Sequence, residues 1–291
     1  MFLASKLIDL LCMVSGPRFA HEVFLHRLER WRSFEPEYFF LHLLADPVRA
    51  AIDIGANEGI YAGRLSQLCR TVHCFEPNPR LAAQLRMKLR RSVIVHEVAA
   101  SNERGVGELR VPYSGKTEMH GTATIAKENL LDGATTVERC QCRLERLDDA
   151  IGESVGFIKI DVEGHELAVL EGAVKILKRD RPVLLIESER RHHSEAPENI
   201  FNFMANHHYE GFFLEGYKLR SISAFIPDSH QNLAALQAGV RKIGLYVNNF
   251  IFVPGRYPAE LKSAPSLQAL RELTKASDSI EDSARPGPRV L

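Results

Sequence analysis

The 291-residue chain is 45% apolar and 25% charged, a balance that excludes disorder across the body and allows one large globular domain with appendages or two small ones. Thirty-seven basic side chains offset thirty-seven acidic ones, so no global field gathers phosphates and no nucleic-acid partner is expected. The five cysteines, Cys12, Cys69, Cys74, Cys140 and Cys142, form no CxxC pair and read as reduced thiols of a cytoplasmic protein.

In chain order, Met1 to Ser15 is apolar but carries Lys6 and Asp9, far short of the ~20 residues a membrane span needs. It is expected to be an amphipathic helix packed on the body, with no stable membrane span. Residues 1–45 together read as a helical arm, with Leu and Phe at three- and four-residue intervals and breaks at Pro17 and Pro36. From Ala50 the pattern becomes short apolar runs separated by helical stretches. Strands are predicted at Ala51 to Ile54, Val72 to Phe75, Val93 to Val98, Phe157 to Ile160 and Val183 to Ile186. Helices are predicted at Gly59 to Cys69, Arg80 to Arg90, Glu166 to Lys178 and Glu198 to His207. That alternation implies an α/β fold with a mostly parallel sheet and helices on both faces.

Between the third and fourth runs, Glu108 to Tyr113 and Val137 to Leu144 alternate like edge strands. They belong to an insertion at about 105–145 that is expected to roof the site. Gly211 to Leu214, Lys218 to Ile222 and Phe250 to Val253 suit an antiparallel closing edge. The main domain is thus expected over 46–256. A C-terminal extension at 257–291, polar and broken by prolines from Ser277, is expected to end in disorder.

The strongest local signal is Ala51-Ile52-Asp53-Ile54-Gly55-Ala56-Asn57-Glu58-Gly59, an apolar strand running into a small-residue turn. Gly55 and Gly59 remove side chains where a nucleoside must approach, and Asn57 is the non-glycine residue best suited to a left-handed conformation. A dinucleotide fingerprint needs glycine at the first, third and sixth places. Counted from Gly55, those places hold Gly55, Asn57 and Ile60, which argues against a nicotinamide oxidoreductase, the competing enzyme class. Asp53, at the strand end, repels pyrophosphate and suits a cationic amino-acid tail. Twenty-one residues past Gly55, Phe75-Glu76-Pro77-Asn78 ends the second strand, where a carboxylate can accept both hydroxyls of a ribose.

The second constellation is Phe157-Ile158-Lys159-Ile160-Asp161-Val162-Glu163-Gly164-His165-Glu166. Asp161, Glu163 and His165 are two apart and share a face while the chain stays extended, above the strand ends where open sheets place ligands. Any of the three can serve as the base that removes a hydroxyl proton, the help methyl transfer requires beyond positioning. Glu166 reads as a cap of the following helix. Metal ligation by Asp161, Glu163 and His165 lacks an obvious fourth ligand, and no metal is assigned. His120, His192 and His193 read as loop residues near the acceptor, individually of the surface.

These residues resemble the FkbM family of S-adenosylmethionine-dependent methyltransferases over roughly Ala50 to Pro254. Ile52 to Gly59, Phe75 to Asn78, Leu147-Asp148-Asp149, Ile158 to Glu166, Leu170-Glu171-Gly172-Ala173 and Arg181-Pro182-Val183 carry the likeness. The resemblance implies a Rossmann-like class I fold, a seven-stranded sheet with its last strand antiparallel. It implies S-adenosyl-L-methionine as cofactor and O-methylation of a hydroxyl on a sugar or a glycosylated natural product, a small-molecule or saccharide acceptor. By the same resemblance, Asp53, Gly55, Ala56, Asn57 and Gly59 line the methionine part and Glu76, with Pro77 and Asn78, holds the ribose. Val98 and Ala99 form the adenine edge, and Asp161 with Glu163 the transfer centre. A non-catalytic scaffold that keeps the pocket is the remaining alternative, and the pattern leaves room for a homodimer.

Overall fold

The structure is a computed structural model describing residues 15–31, 34–115, 117–119, 121–216, 218–232 and 246–255. The expected helix at Met1 to Ser15 (apart from Ser15), Cys12, His120 and the C-terminal extension lie outside the described residues.

Among the elements given in full by the described residues, three helices precede the sheet: α1 (Pro17–Trp31), α2 (Pro36–Phe39) and α3 (Leu41–Leu44). The breaks expected at Pro17 and Pro36 are present, and each proline opens the helix that follows. A first-turn proline lacks only an N–H that has no intrahelical partner there, and its fixed φ suits the helix. The arm is packed down: Leu25 and Tyr38 are fully buried, and a Cβ on Gly63 would stand 2.6 Å from Leu25 Cδ1.

The domain then runs β1 (Ala50–Ile54), α4 (Ile60–Leu68), β2 (Val72–Phe75), α5 (Pro79–Lys88), β3 (Val93–His96) and β4 (Ala99–Ala100). The insertion holds β5 (Gly105–Ser114), β6 (Thr117–Glu118) and β7 (Thr136–Glu145). After it come α6 (Leu147–Ala150), β8 (Val155–Ile160), α7 (Glu166–Glu171), α8 (Val174–Asp180), β9 (Val183–Glu187) and α9 (Glu198–Asn206). The last elements are β10 (Tyr209–Glu215), β11 (Lys218–Ser221), α10 (Pro227–His230) and β12 (Asn249–Pro254).

The main sheet has eight strands in the order β11-β10-β12-β9-β8-β1-β2-β3, one more than the seven expected, the extra one being the hairpin partner β11. The strands from β9 through β8, β1 and β2 to β3 pair in parallel. The reversed β12 is inserted between β9 and β10 rather than added at the edge.

Strand alternation splits the core in two. Ile52, Ile54, Ile158, Ile160, Leu184 and Ile186 pack beneath the helices that follow β8 and β9. Ala51, Cys74, Phe157, Leu185 and Ile251 pack with Tyr38, Leu41, Tyr61 and Leu65 on the other face. Helices therefore cover both faces, the Rossmann-like arrangement. The insertion forms a separate four-stranded sheet, β4-β7-β5-β6, with its own small core of Ala99, Leu109, Val111 and Cys142.

The helix expected from Glu166 to Lys178 is two helices. A Cβ on Gly172 would lie 2.0 Å from Ser101 O, so the chain passes tightly there and the helix restarts at Val174. Asp148 caps the second piece, accepting from Lys175 N at 2.9 Å and Ile176 N at 3.0 Å. The Leu147-Asp148-Asp149 motif thus includes a helix cap.

Candidate active site

β1, β2 and β8 end side by side under the insertion, and the glycine turn after β1 opens a cleft above the strand ends, the place where open α/β sheets bind small molecules. Phe75, Leu81, Leu109 and Ile125 give it apolar walls, and Glu118, Gly121, Ala123 and Thr124 bring the insertion over it.

Five of the expected cofactor residues line this cleft: Gly55, Asn57, Glu76, Pro77 and Ala99. Asn57 is left-handed with φ 47° and donates its N–H to Glu76 Oε2 at 2.8 Å. Asn78 N donates to Glu76 Oε1 at 2.8 Å. The carboxylate is held by backbone from both sides, and burial, partly offset by these donors, raises its pKa to about 7.

The other five lie elsewhere. Asp53 follows Ala51 onto the opposite face of the sheet, 1% exposed, because alternation sends Ile52 and Ile54 toward the cleft side. Ala56 joins the core of that opposite face. Gly59 faces α5, where a Cβ would stand 2.6 Å from Leu85 Cδ2. Asn78 caps α5 through Arg80 N at 3.0 Å, and Val98 is buried in the core. Gly55 is needed for packing as well as for the cleft: at φ +77° a Cβ there would lie 1.8 Å from Asp161 O.

Asp161, Glu163 and His165 all line the cleft, though the chain does not stay extended. Glu163 has φ 56° and Gly164 φ 103°, and this left-handed turn sends His165 away while the Asp161 and Glu163 carboxylates stay within 4.8 Å of each other. Asp161 Oδ2 meets Lys159 Nζ at 2.8 Å. Glu163 Oε2 meets His192 Nε2 at 2.7 Å. His165 Nε2 lies 3.0 Å from Ser101 Oγ, and burial lowers its pKa. The insertion secures the left-handed turn, since Thr124 Oγ1 and Asn129 Nδ2 each donate to Glu163 O at 2.8 Å. Glu166 Oε1 accepts from Gly164 N at 2.8 Å, holding the turn before its helix.

The structure adds residues that sequence reasoning missed. Glu187, at the end of β9, brings a third carboxylate within 4.8 Å of those of Asp161 and Glu163. Burial raises its pKa well above the usual value, reinforced by Asp161 and Glu35. Lys159 is 2% exposed; burial opposes its charge, but Asp161 and Asp53 override this and raise its pKa. The three carboxylates offer hard oxygen donors, yet two already have internal partners, the Lys159 ammonium on Asp161 and the His192 ring on Glu163. The group is therefore an ion-paired network. Glu35, ahead of α2, joins it by accepting from Tyr61 Oη at 2.7 Å and Asn249 Nδ2 at 3.3 Å. His192 is buried, not a surface residue. Glu187, directly after a parallel strand at its carboxyl end, carried a readable signal; His192 carried none.

The cleft suits a nucleoside cofactor. Asn57 Oδ1 is buried without a hydrogen-bond partner among the described residues, apolar walls suit a base, and Glu76 presents a carboxylate where ribose hydroxyls can reach it. Mostly parallel sheet, reversed last strand and cleft at the carboxyl edge define a methyltransferase domain of the S-adenosylmethionine-dependent class. Residues 53–211 match the methyltransferase FkbM domain, and the chain belongs to that family.

Among solved structures, the chain is similar to methyltransferase FkbM from Methylobacillus flagellatus KT, with 19% identity and a TM-score of 0.44 over 75% of this chain and 50% of that one. It thus spans half the length of the Methylobacillus protein. It is also similar to M. jannaschii TYW2 in complex with AdoMet, with 12% identity and a TM-score of 0.37 over 75% of this chain and 74% of that one. A further likeness is to the precorrin-6y C5,15-methyltransferase of Geobacter metallireducens GS-15, with 16% identity and a TM-score of 0.36 over 60% of this chain and 71% of that one. Comparison with curated proteins gives no match.

Proposed function

We propose that the protein is an S-adenosylmethionine-dependent O-methyltransferase acting on a hydroxyl of a sugar or glycosylated natural product. The observation that carries this reading is the position of Glu163, a buried carboxylate that lines the same cleft as Glu76. Glu76 holds the ribose hydroxyls, and Asn57, with its unspent Oδ1, lies where the amino-acid tail begins. When bound, S-adenosylmethionine supplies an electrophilic methyl group. Glu163 takes the proton of the acceptor hydroxyl: burial raises its pKa, with His192 opposing, and a raised pKa makes a carboxylate a stronger base. Asp161, fixed by Lys159, orients the acceptor from the other side. His165 stays neutral beside Ser101 and bounds the cleft. The free thiols Cys69, Cys74, Cys140 and Cys142 support a reducing, cytoplasmic setting.

Calorimetry tests this directly. S-adenosylhomocysteine binds with micromolar affinity and Glu76→Ala removes the binding, while NADH does not bind. A folded protein that fails to bind S-adenosylhomocysteine overturns the reading. Labelled methyl transfer to a panel of glycosides then tests the acceptor class.

A further inference from the structure

A second, open hollow adjoins the cleft, between the insertion and the turn after β9. Among the described residues, Glu163 alone lines both spaces. The turn is pressed close: a Cβ on Gly164 would stand 3.0 Å from His192 O, which puts the His192 ring against the Glu163 carboxylate at 2.7 Å.

The walls of this hollow are unlike those of the cleft. Pro112, Met119 and Leu131 give it an apolar side, and Thr122, Asp132 and Arg191 a polar rim. Arg191 is tied to Glu189 through two hydrogen bonds of 2.7 and 2.8 Å, so its charge is matched inside the protein. His192 matches Glu163 in the same way. Asp132 is exposed, and it leaves the rim with one net negative charge. A ring with an apolar C–H face and a hydroxyl edge fits such a space; a carboxylate or phosphate is repelled from it.

We propose that this hollow is the acceptor subsite, that it holds one neutral sugar ring with the reacting hydroxyl directed at Glu163, and that His192 is the positioning residue that aims that carboxylate. The assignment rests on the methyltransferase reading above. In the transfer, the hydroxyl proton passes to the Glu163 carboxylate and the oxygen lone pair forms the new O–CH₃ bond. The electron pair of the broken C–S bond stays on sulfur, giving the thioether product. Burial disfavours a charged His192, but Glu163 overrides this and raises its pKa, in keeping with the close approach of ring and carboxylate.

The test uses the full chain with neutral methyl hexosides and a methyl uronate glycoside, read by ligand-observed NMR in the presence of S-adenosylhomocysteine and by labelled methyl transfer. A neutral hexoside binds the wild type and the uronate does not. Met119→Trp, which fills the hollow, weakens hexoside binding at least tenfold while S-adenosylhomocysteine affinity stays within twofold. Asp132→Arg, at an exposed position, admits the uronate. His192→Phe lowers kcat about tenfold without changing the acceptor KM, and His192→Gln, which keeps an N–H donor, restores most of it. The proposal is overturned if Met119→Trp binds hexosides as the wild type does, or if a protein that binds S-adenosylhomocysteine binds no neutral hexoside. Failure to bind S-adenosylhomocysteine instead defeats the methyltransferase reading beneath it.

Discussion

Lys159 Nζ stands 2.8 Å from Asp161 Oδ2, and its strand neighbour in register is Asp53, whose two carboxylate oxygens have no hydrogen-bond partner among the described residues. One buried ammonium, 4.5 Å from the centre of the Tyr61 ring, therefore serves two carboxylates on adjacent strands. Burial lifts the Asp53 pKa to about 6, with Lys159 opposing and Asp161 adding to the rise. Removing one member of such a group leaves uncompensated charge in the interior. Lys159→Met should cost about 3–5 kcal/mol in urea unfolding, and Lys159→Met with Asp53→Asn should recover part of that loss. Equal midpoints for wild type and Lys159→Met would show that the cation does not hold this layer together.

Glu76 should make cofactor affinity depend on pH. Its carboxyl in the ligand-free protein has a pKa raised to about 7 by burial, and ribose hydroxyls donate best to the ionised form. Affinity for S-adenosylhomocysteine should rise with pH up to about 7 and then level, approaching a tenfold change per unit on the acid side. Stability of the ligand-free protein runs the other way. A folded pKa above the ordinary carboxylate value of 4.5 contributes stability that is present below that value and lost as pH rises through about 7. Calorimetric titrations at pH 5.5, 6.5 and 8, with Glu76→Gln as the comparison, check both signs; a flat wild-type profile contradicts the assignment.

Gly55→Ala should be among the most damaging single-methyl changes in the chain. The added Cβ meets a backbone oxygen at 1.8 Å and sits at φ +77°, so β1 and β8 must separate. Gly115→Ala is the control, since φ there is +63° with nothing within 4 Å of the new Cβ. Thermal unfolding should show a loss of several kcal/mol for the first and about 1 kcal/mol for the second.

Asn78 separates capping from ligand contact. Its side chain accepts from Arg80 N at 3.0 Å, and Asn78→Ala should lower stability by about 1 kcal/mol. Affinity for S-adenosylhomocysteine should stay within about twofold of wild type, because the N–H that fixes Glu76 belongs to the backbone. A tenfold loss of affinity with unchanged stability would return the side chain to the cofactor.

The parallel strands were legible because short apolar runs bounded by turns leave a local mark; β2 matches its expected span residue for residue, and Asn57 takes the left-handed conformation its type favours. What local pattern does not carry is contact between distant segments. The break between α7 and α8 comes from Ser101, whose carbonyl approaches Gly172 from 71 residues away. His192 reads as a polar loop residue until Gly164 brings its turn against Glu163. Asp53 lies near the end of its strand as expected, but alternation from Ile54 into the cleft turns its side chain to the opposite face of the sheet. Lys159 is one polar residue in an apolar strand, and its role as a buried cation depends on Asp53 from the neighbouring strand and Asp161 beyond the strand end.

The placement of β12 also bears on synthesis of the protein. Residues 249–254 pair with both β9 and β10, so a nascent chain that has completed β10 and β11 still has an open, hydrophobic gap between that hairpin and the parallel strands. Until the ribosome has delivered Phe250 to Val253, the hairpin has no neighbour to join and β9 presents a bare edge to other chains. Premature termination before this point would remove the wedge that joins the two parts of the sheet, and the fragment would tend to aggregate.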